Sequence, residues 1–192
     1  MVESHAERPA RRRDAAATRE AILRSALTAF TRHGYDGVGV REIANAAGVT
    51  AMLVNRYFGS KEQLFTEAVE VAFAQRTLIA DDVASLSRFA ATALVAAEPR
   101  SVDGFLLMLR SVANPRAAEI LRAAIDAHFQ RPLEALLPGA HASERAALFL
   151  SVLAGVRLMQ QVLGSPALAA TDASALERRL ESLFRQLVDP SG

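Results

Sequence analysis

Residues 40–59 read VREIANAAGVTAMLVNRYFG, and the pattern describes two short helices crossing over a tight turn. Ile43, Ala47, Val49 and Val54 supply apolar contacts between the helices, and Ala44 lies where a larger side chain would push them apart. Gly48 stands where the chain has to turn, and without a Cβ it takes the left-handed conformation that the turn demands. The first helix is expected over residues 40–47. The second opens at Thr50, a suitable N-cap, and runs to Phe58 before Gly59.

Working outward, residues 15–33 predict a longer helix, with Ile22, Ala26 and Phe30 on one stripe, Leu23 and Leu27 beside it, and Gly34 closing it. Downstream, Ser60 caps a helix expected over residues 61–80, in which Leu64, Ala68, Val71 and Ala72 recur at helical spacing. Beyond it the helices lengthen and are separated by Asp81-Asp82, Pro99, Asn114-Pro115, Pro138-Gly139 and Gly164-Ser165-Pro166. Helices are expected near residues 83–97, 101–112, 115–136, 142–163 and 172–187, with Pro132 bending or splitting the third. Alternating β-branched runs are almost absent, so the fold class is all-α: a three-helix helix-turn-helix domain joined to a larger helical domain.

With 192 residues and 51% hydrophobic content, the chain can bury a full core, so disorder is not expected. The absence of cysteine excludes disulfides, thiol nucleophiles and cysteine-ligated zinc. The opening MVESHAERPARRRD lacks the apolar stretch of a signal peptide. The longest uncharged apolar run, residues 146–156, is roughly half of a membrane span. A soluble, cytoplasmic protein with no membrane partner is therefore expected. The net charge of +1 is unevenly spread. Residues 1–61 carry ten Lys or Arg against six Asp or Glu, whereas residues 62–192 carry twelve against fifteen. The positive end is either a docking face for a polyanion or an ordinary solvated surface.

The helix 19-REAILRSALTAFTRHGYDG-37, the segment 40-VREIANAAGV-49, the second short helix ending in Tyr57-Phe58, and 59-GSKEQLF-65 together resemble the DNA-binding region of the tetracycline-repressor family. The resemblance runs through residues 15–66 without a gap, and its small, apolar, glycine and aromatic positions match in register. The remaining residues are similar only in length and helical content. The resemblance implies a disordered basic arm over residues 1–14, a DNA-binding domain over 15–61, and an effector-binding and dimerisation domain over 62–192. It also implies that the second short helix enters the major groove, where every base pair presents a different edge.

The exposed positions there are Thr50, Ala51, Met52, Asn55 and Arg56. Asn55 carries an amide that can pair with adenine in two places, whereas Arg56 can take either a guanine edge or a phosphate. Met52 either contacts DNA or simply covers apolar surface. Tyr57 and Lys61 resemble the family's phosphate contacts, Lys61 being helped by the positive end of its helix, and Arg41 is expected to act likewise. Arg11, Arg12 and Arg13 are either a DNA-contacting arm or a soluble tail. Two positions depart from the family's pattern. Gly39 replaces the usual Ser or Thr cap, a loss of a few tenths of a kcal/mol. Asn55 stands where tyrosine is common, so base contacts of other members do not carry over.

A reading element of about 20 residues needs a second copy about one turn of DNA away. The resemblance implies a homodimer paired through the last two long helices, with Phe149, Val152 and Val156 on one and Leu176, Leu180 and Leu183 on the other, and Gly155 allowing close approach. It further implies a pocket for a small, mainly apolar effector of unknown identity. Its candidate lining is Phe73, Phe105, Met108 and Leu109, together with His128, Phe129 and Met159. No cofactor, metal site or catalytic group is expected. The four histidines, at positions 5, 33, 128 and 141, have no metal-ligand spacing, and no nucleophile elbow or phosphate-binding loop occurs. A helical carrier or adaptor without DNA function is the other competing reading, and the basic N-terminal part argues against it.

Overall fold

The computed structural model describes residues 7–74, 82–96 and 104–189, with side chains from Asp14 onward. Among the described residues every regular element is helical. The helices are α1 (Glu7–His33), α2 (Val40–Ala46), α3 (Ala51–Phe58), α4 (Lys61–Ala74), α5 (Val83–Val95), α6 (Gly104–Ser111), α7 (Pro115–Ile125), α8 (Arg131–Leu136), α9 (Ala142–Arg157), α10 (Pro166–Ala169) and α11 (Ala173–Val188). Two π-helical turns, Asp126–Gln130 and Leu158–Val162, interrupt the series. No described helix is long and apolar enough to cross a membrane.

Several boundaries differ from the sequence expectation. The first helix begins at Glu7 rather than near residue 15. Pro9 falls in its first turn, where a missing amide costs nothing, and the run of Arg and Ala that follows favours helix. The side chains of Arg11, Arg12 and Arg13 lie outside the described residues, as do residues 75–80 of the expected long helix, residue 97, and residues 101–103. The helix expected over 115–136 is split into α7, a π turn and α8. Pro132, which has no amide proton and whose ring crowds the carbonyl four residues back, accounts for the break. The helix expected over 142–163 ends in the second π turn, closed by the Ser165 amide donating to the Met159 carbonyl (2.8 Å) across left-handed Gly164 (φ 60°). The short α10 after it was not expected.

The chain forms two compact units. The first comprises residues 1–73 and 100–122, so α6 and most of α7 join α1–α4. Its core contains Ile22, Ala26 and Phe30 of α1, Ile43 and Ala44 of α2, Val54 and Phe58 of α3, and Leu64, Phe65, Ala68 and Val69 of α4. Leu107, Ala117 and Leu121 are buried on α6 and α7. Phe30 meets Phe65 edge-on at 5.0 Å, an arrangement that suits the quadrupoles of the two rings.

The second unit comprises residues 74–99 and 123–192. Leu86, Ala90, Ala91 and Leu94 of α5 share one core with Leu133, Ala146, Phe149 and Leu153 and with Leu180, Phe184 and Val188 of α11. The alanines let α5 lie close along α11, and Phe149 packs on Phe184 at 4.4 Å. Arg145 ties α9 to the end of α11 by donating to the Leu187 and Val188 carbonyls (3.3 and 3.0 Å). Those carbonyls belong to a helix C-terminus, which has no partner of its own.

Candidate nucleic-acid interface

The turn between α2 and α3 closes as the sequence pattern requires. The Gly48 amide donates to the Asn45 carbonyl (3.1 Å) and the Val49 amide to the Ala44 carbonyl (2.9 Å), with Gly48 left-handed at φ 70°. These paired bonds cap α2 at its C-terminus and set the direction in which α3 leaves. Two residues on, the Thr50 hydroxyl accepts from the Leu53 amide (3.3 Å) and starts α3. That bond uses an oxygen lone pair, so the hydroxyl proton can still be donated outward. Gly59 ends the helix at φ 77°, and Ser60 Oγ accepts from the Gln63 amide (3.1 Å) to open α4. At α2, Gly39 offers no side chain, but the Glu42 carboxylate accepts from the Gly39 amide (2.6 Å), which is one half of a capping box.

These caps rotate α3 so that Val54 and Phe58 enter the core while Met52, Asn55 and Arg56 face outward on one stripe. Met52 is 80% exposed. Asn55 and Arg56 are exposed, as are Thr50 at the mouth of the helix and Arg41 on α2. Ala51 and Tyr57 are half-buried and flank the stripe. Lys61, also half-buried, holds its ammonium 4.5 Å over the Tyr35 ring at the start of α4. Burial, followed by the Glu62 and Asp36 carboxylates, raises the Tyr35 pKa above its ordinary value, so the ring stays a neutral phenol beneath that cation.

Sequence reasoning missed the residues that brace this surface. Arg19 of α1 lies 4.8 Å over the Phe58 ring and is ion-paired with Glu67, joining α1, α3 and α4. Arg110 of α6 donates to the Thr31 carbonyl (2.6 Å), the Tyr35 amide donates to Ser111 Oγ (3.0 Å), and the Asn114 side-chain amide donates to the Asp36 carboxylate (2.9 Å). Asn114 Oδ1 also accepts the amides of Arg116 and Ala117 (both 3.0 Å), capping α7. Arg116 then binds Glu62 at the start of α4 through two nitrogens (2.8 and 2.6 Å) and Glu119 through a third (2.6 Å). This holds the Glu62 carboxyl below its ordinary range and raises the guanidinium. Only Asn114-Pro115 left a sequence signal, as a break between helices.

The other candidates are distributed differently. Phe73 is buried against Gly104, and Phe105, Met108 and Leu109 are half-buried on α6, all within the first unit. His128, Phe129 and Met159 lie in the second unit, each on one of the two π turns. Of the expected dimer residues, Phe149 and Leu180 point into the core of their own unit, beneath the surface rather than on it. Val152, Val156 and Leu176 are half-buried at the edge of that core, and Leu183 is 42% exposed. Among the described residues, no three His, Asp or Glu side chains are grouped to hold a metal.

The family model for bacterial regulatory proteins of the TetR family matches residues 22–68, and that for the tetracycline-repressor-like C-terminal domain matches residues 85–188, more than half of the chain. The chain belongs to the tetracycline-repressor family. TetR-family proteins are transcriptional regulators, typically repressors, and not enzymes. The HTH-type transcriptional regulator BetI of Agrobacterium fabrum is 41% identical over 70 residues, which is 36% of this chain and 33% of BetI. The chain thus spans about a third of the length of that relative. Among solved TetR-fold structures, NalD of Pseudomonas aeruginosa, the secondary repressor of the MexAB-OprM multidrug efflux pump, covers 89% of this chain and 96% of its own with a TM-score of 0.64 at 21% identity. The multidrug binding protein EbrR, solved with proflavin, covers 89% and 99% with a TM-score of 0.60 at 20% identity.

Proposed function

We propose that the protein is a ligand-responsive repressor that binds a palindromic operator as a homodimer and is released by a small, mainly apolar molecule. The observation that carries the DNA-binding role is the outward stripe of Met52, Asn55 and Arg56 on a helix capped at both ends and seated on a rigid core. Asn55 reads an adenine edge, while Arg56 takes a guanine edge or a phosphate. Arg41, Thr50, Tyr57 and Lys61 fix the register on the backbone, and Ala51 lies against the groove wall. A helix of this length makes too few contacts for specific affinity, so two copies are needed, about one DNA turn apart.

The dimer face falls on α9 and α11. Leu148 is 54% exposed, and with Val152 and Gly155 it forms one stripe of α9 that Met159 extends onto the following π turn. A Cβ at Gly155 would meet open space, so nothing among the described residues demands a glycine in that helix. A second chain approaching closely would. Phe149 and Leu180 support that face from beneath. The effector site draws on Phe73, Phe105, Met108 and Leu109 of the first unit, and EbrR with proflavin is an instance of this fold holding a small aromatic molecule. Effector binding shifts the spacing of the two reading heads and lowers operator affinity. The natural setting for this function is the bacterial cytoplasm.

Selection of bound DNA from a random pool tests the proposal. A palindromic consensus with half-sites about one turn apart is expected. Recovery of unenriched DNA would overturn it. A thermal-shift screen then seeks compounds that both stabilise the protein and release the operator, and stabilising compounds that all leave operator binding unchanged would remove the effector step.

A further inference from the structure

We propose that Met52 is a specificity-determining residue that reads the C5-methyl group of a thymine in each half-site. An outward methionine on a short helix has two ordinary explanations: it covers a neighbouring apolar side chain, or it fills a gap in a core. The structure removes both, because Met52 is 80% exposed while the core face of α3 is occupied by Val54 and Phe58. It stands in the first turn of α3, on the same stripe as Asn55 and Arg56, and follows the Thr50 cap that fixes the start of the helix. A thioether has no strong hydrogen-bonding group, so it can read neither a guanine nor an adenine edge. The one apolar feature of the major groove is the thymine methyl. Met52 and Asn55 are three residues apart, about 4.5 Å along the helix axis, so the thymine lies within one or two base pairs of the adenine read by Asn55.

This inference rests on the operator-reading role of α3, and its test separates the two. The full chain is titrated against the duplex recovered from the random pool, and then against duplexes in which each thymine is replaced singly by deoxyuridine, which pairs identically but lacks the methyl. One thymine position per half-site is expected to weaken binding about four-fold, the worth of one buried methyl or methylene group. Met52→Ala, which removes the contact from both half-sites of the homodimer, is expected to bind the parent operator about sixteen-fold more weakly and to be indifferent to the uracil. Met52→Leu should keep most of the discrimination. Thermal unfolding of Met52→Ala should match the wild type, because the side chain is solvated. Uracil substitutions that are all neutral, or a loss that persists unchanged in Met52→Ala, would overturn the assignment while leaving the operator reading intact. Failure to recover any consensus would instead overturn the operator reading itself.

Discussion

Lys61 carries its charge over the Tyr35 ring at the first residue of α4, where the helix amides already favour an anion. A phosphate gripped there releases a counterion, so Lys61→Ala should lower affinity for all sequences nearly equally and reduce the salt slope of binding by about two, one for each subunit of the dimer. A mobility-shift titration over several salt concentrations checks this, and an unchanged slope would remove Lys61 from the backbone contacts. Asn55→Ala should behave differently, losing about 1–3 kcal/mol of discrimination at one base position with little change in salt dependence. Residues such as Thr50, Ser60 and Gly48 were legible in the sequence because their partners lie within five positions along the chain. Arg19 was not legible. Its partners Phe58 and Glu67 come from other helices, and nothing local to residue 19 distinguishes it from a solvated arginine.

At the scale of elements, periodicity located the helices and punctuation located most of their ends, but the two π turns depend on how each helix closes rather than on its apolar stripe. Gly34 joins α1 to the loop at φ 72°, and a Cβ there would run into the Arg110 carbonyl of α6. Gly34→Ala should therefore cost about 1–3 kcal/mol of stability, by strain at a left-handed residue and by forcing α6 away. Chemical denaturation measures it, and a neutral result would contradict the close approach. The α4–α7 joint adds a pH dependence. Arg116 lowers the Glu62 pKa in the folded state, so the pair stabilises the fold above the carboxyl's ordinary value of 4.5 and loses that contribution as pH falls through the depressed value. Glu62→Gln should lower the neutral thermal midpoint slightly and flatten the acid-side decline below about pH 4.5 by the same small amount, since the pair is exposed to solvent.

For the whole molecule, the all-α class and the helix-turn-helix were readable because they rest on local spacing, whereas the grouping of helices was not. The packing of α6 and the start of α7 with α1–α4 depends on Leu107, Ala117 and Leu121, whose apolar character would suit a core in either unit. The same ambiguity affected α9 and α11, where Phe149 and Leu180 fit a dimer stripe in sequence but serve their own core in the fold. Gly155 offers a direct test of assembly. Gly155→Arg places a good helix former at an open position, so the subunit fold should be retained while sedimentation velocity reports a monomer. A dimer that survives this change would place the interface elsewhere. The central claim, that the outward face of α3 reads the operator, is tested most directly by parallel random-pool selections with the wild type and Asn55→Ala. The consensus is predicted to be the same except for the collapse of one adenine column in each half-site. Identical consensus sequences from the two proteins would contradict it.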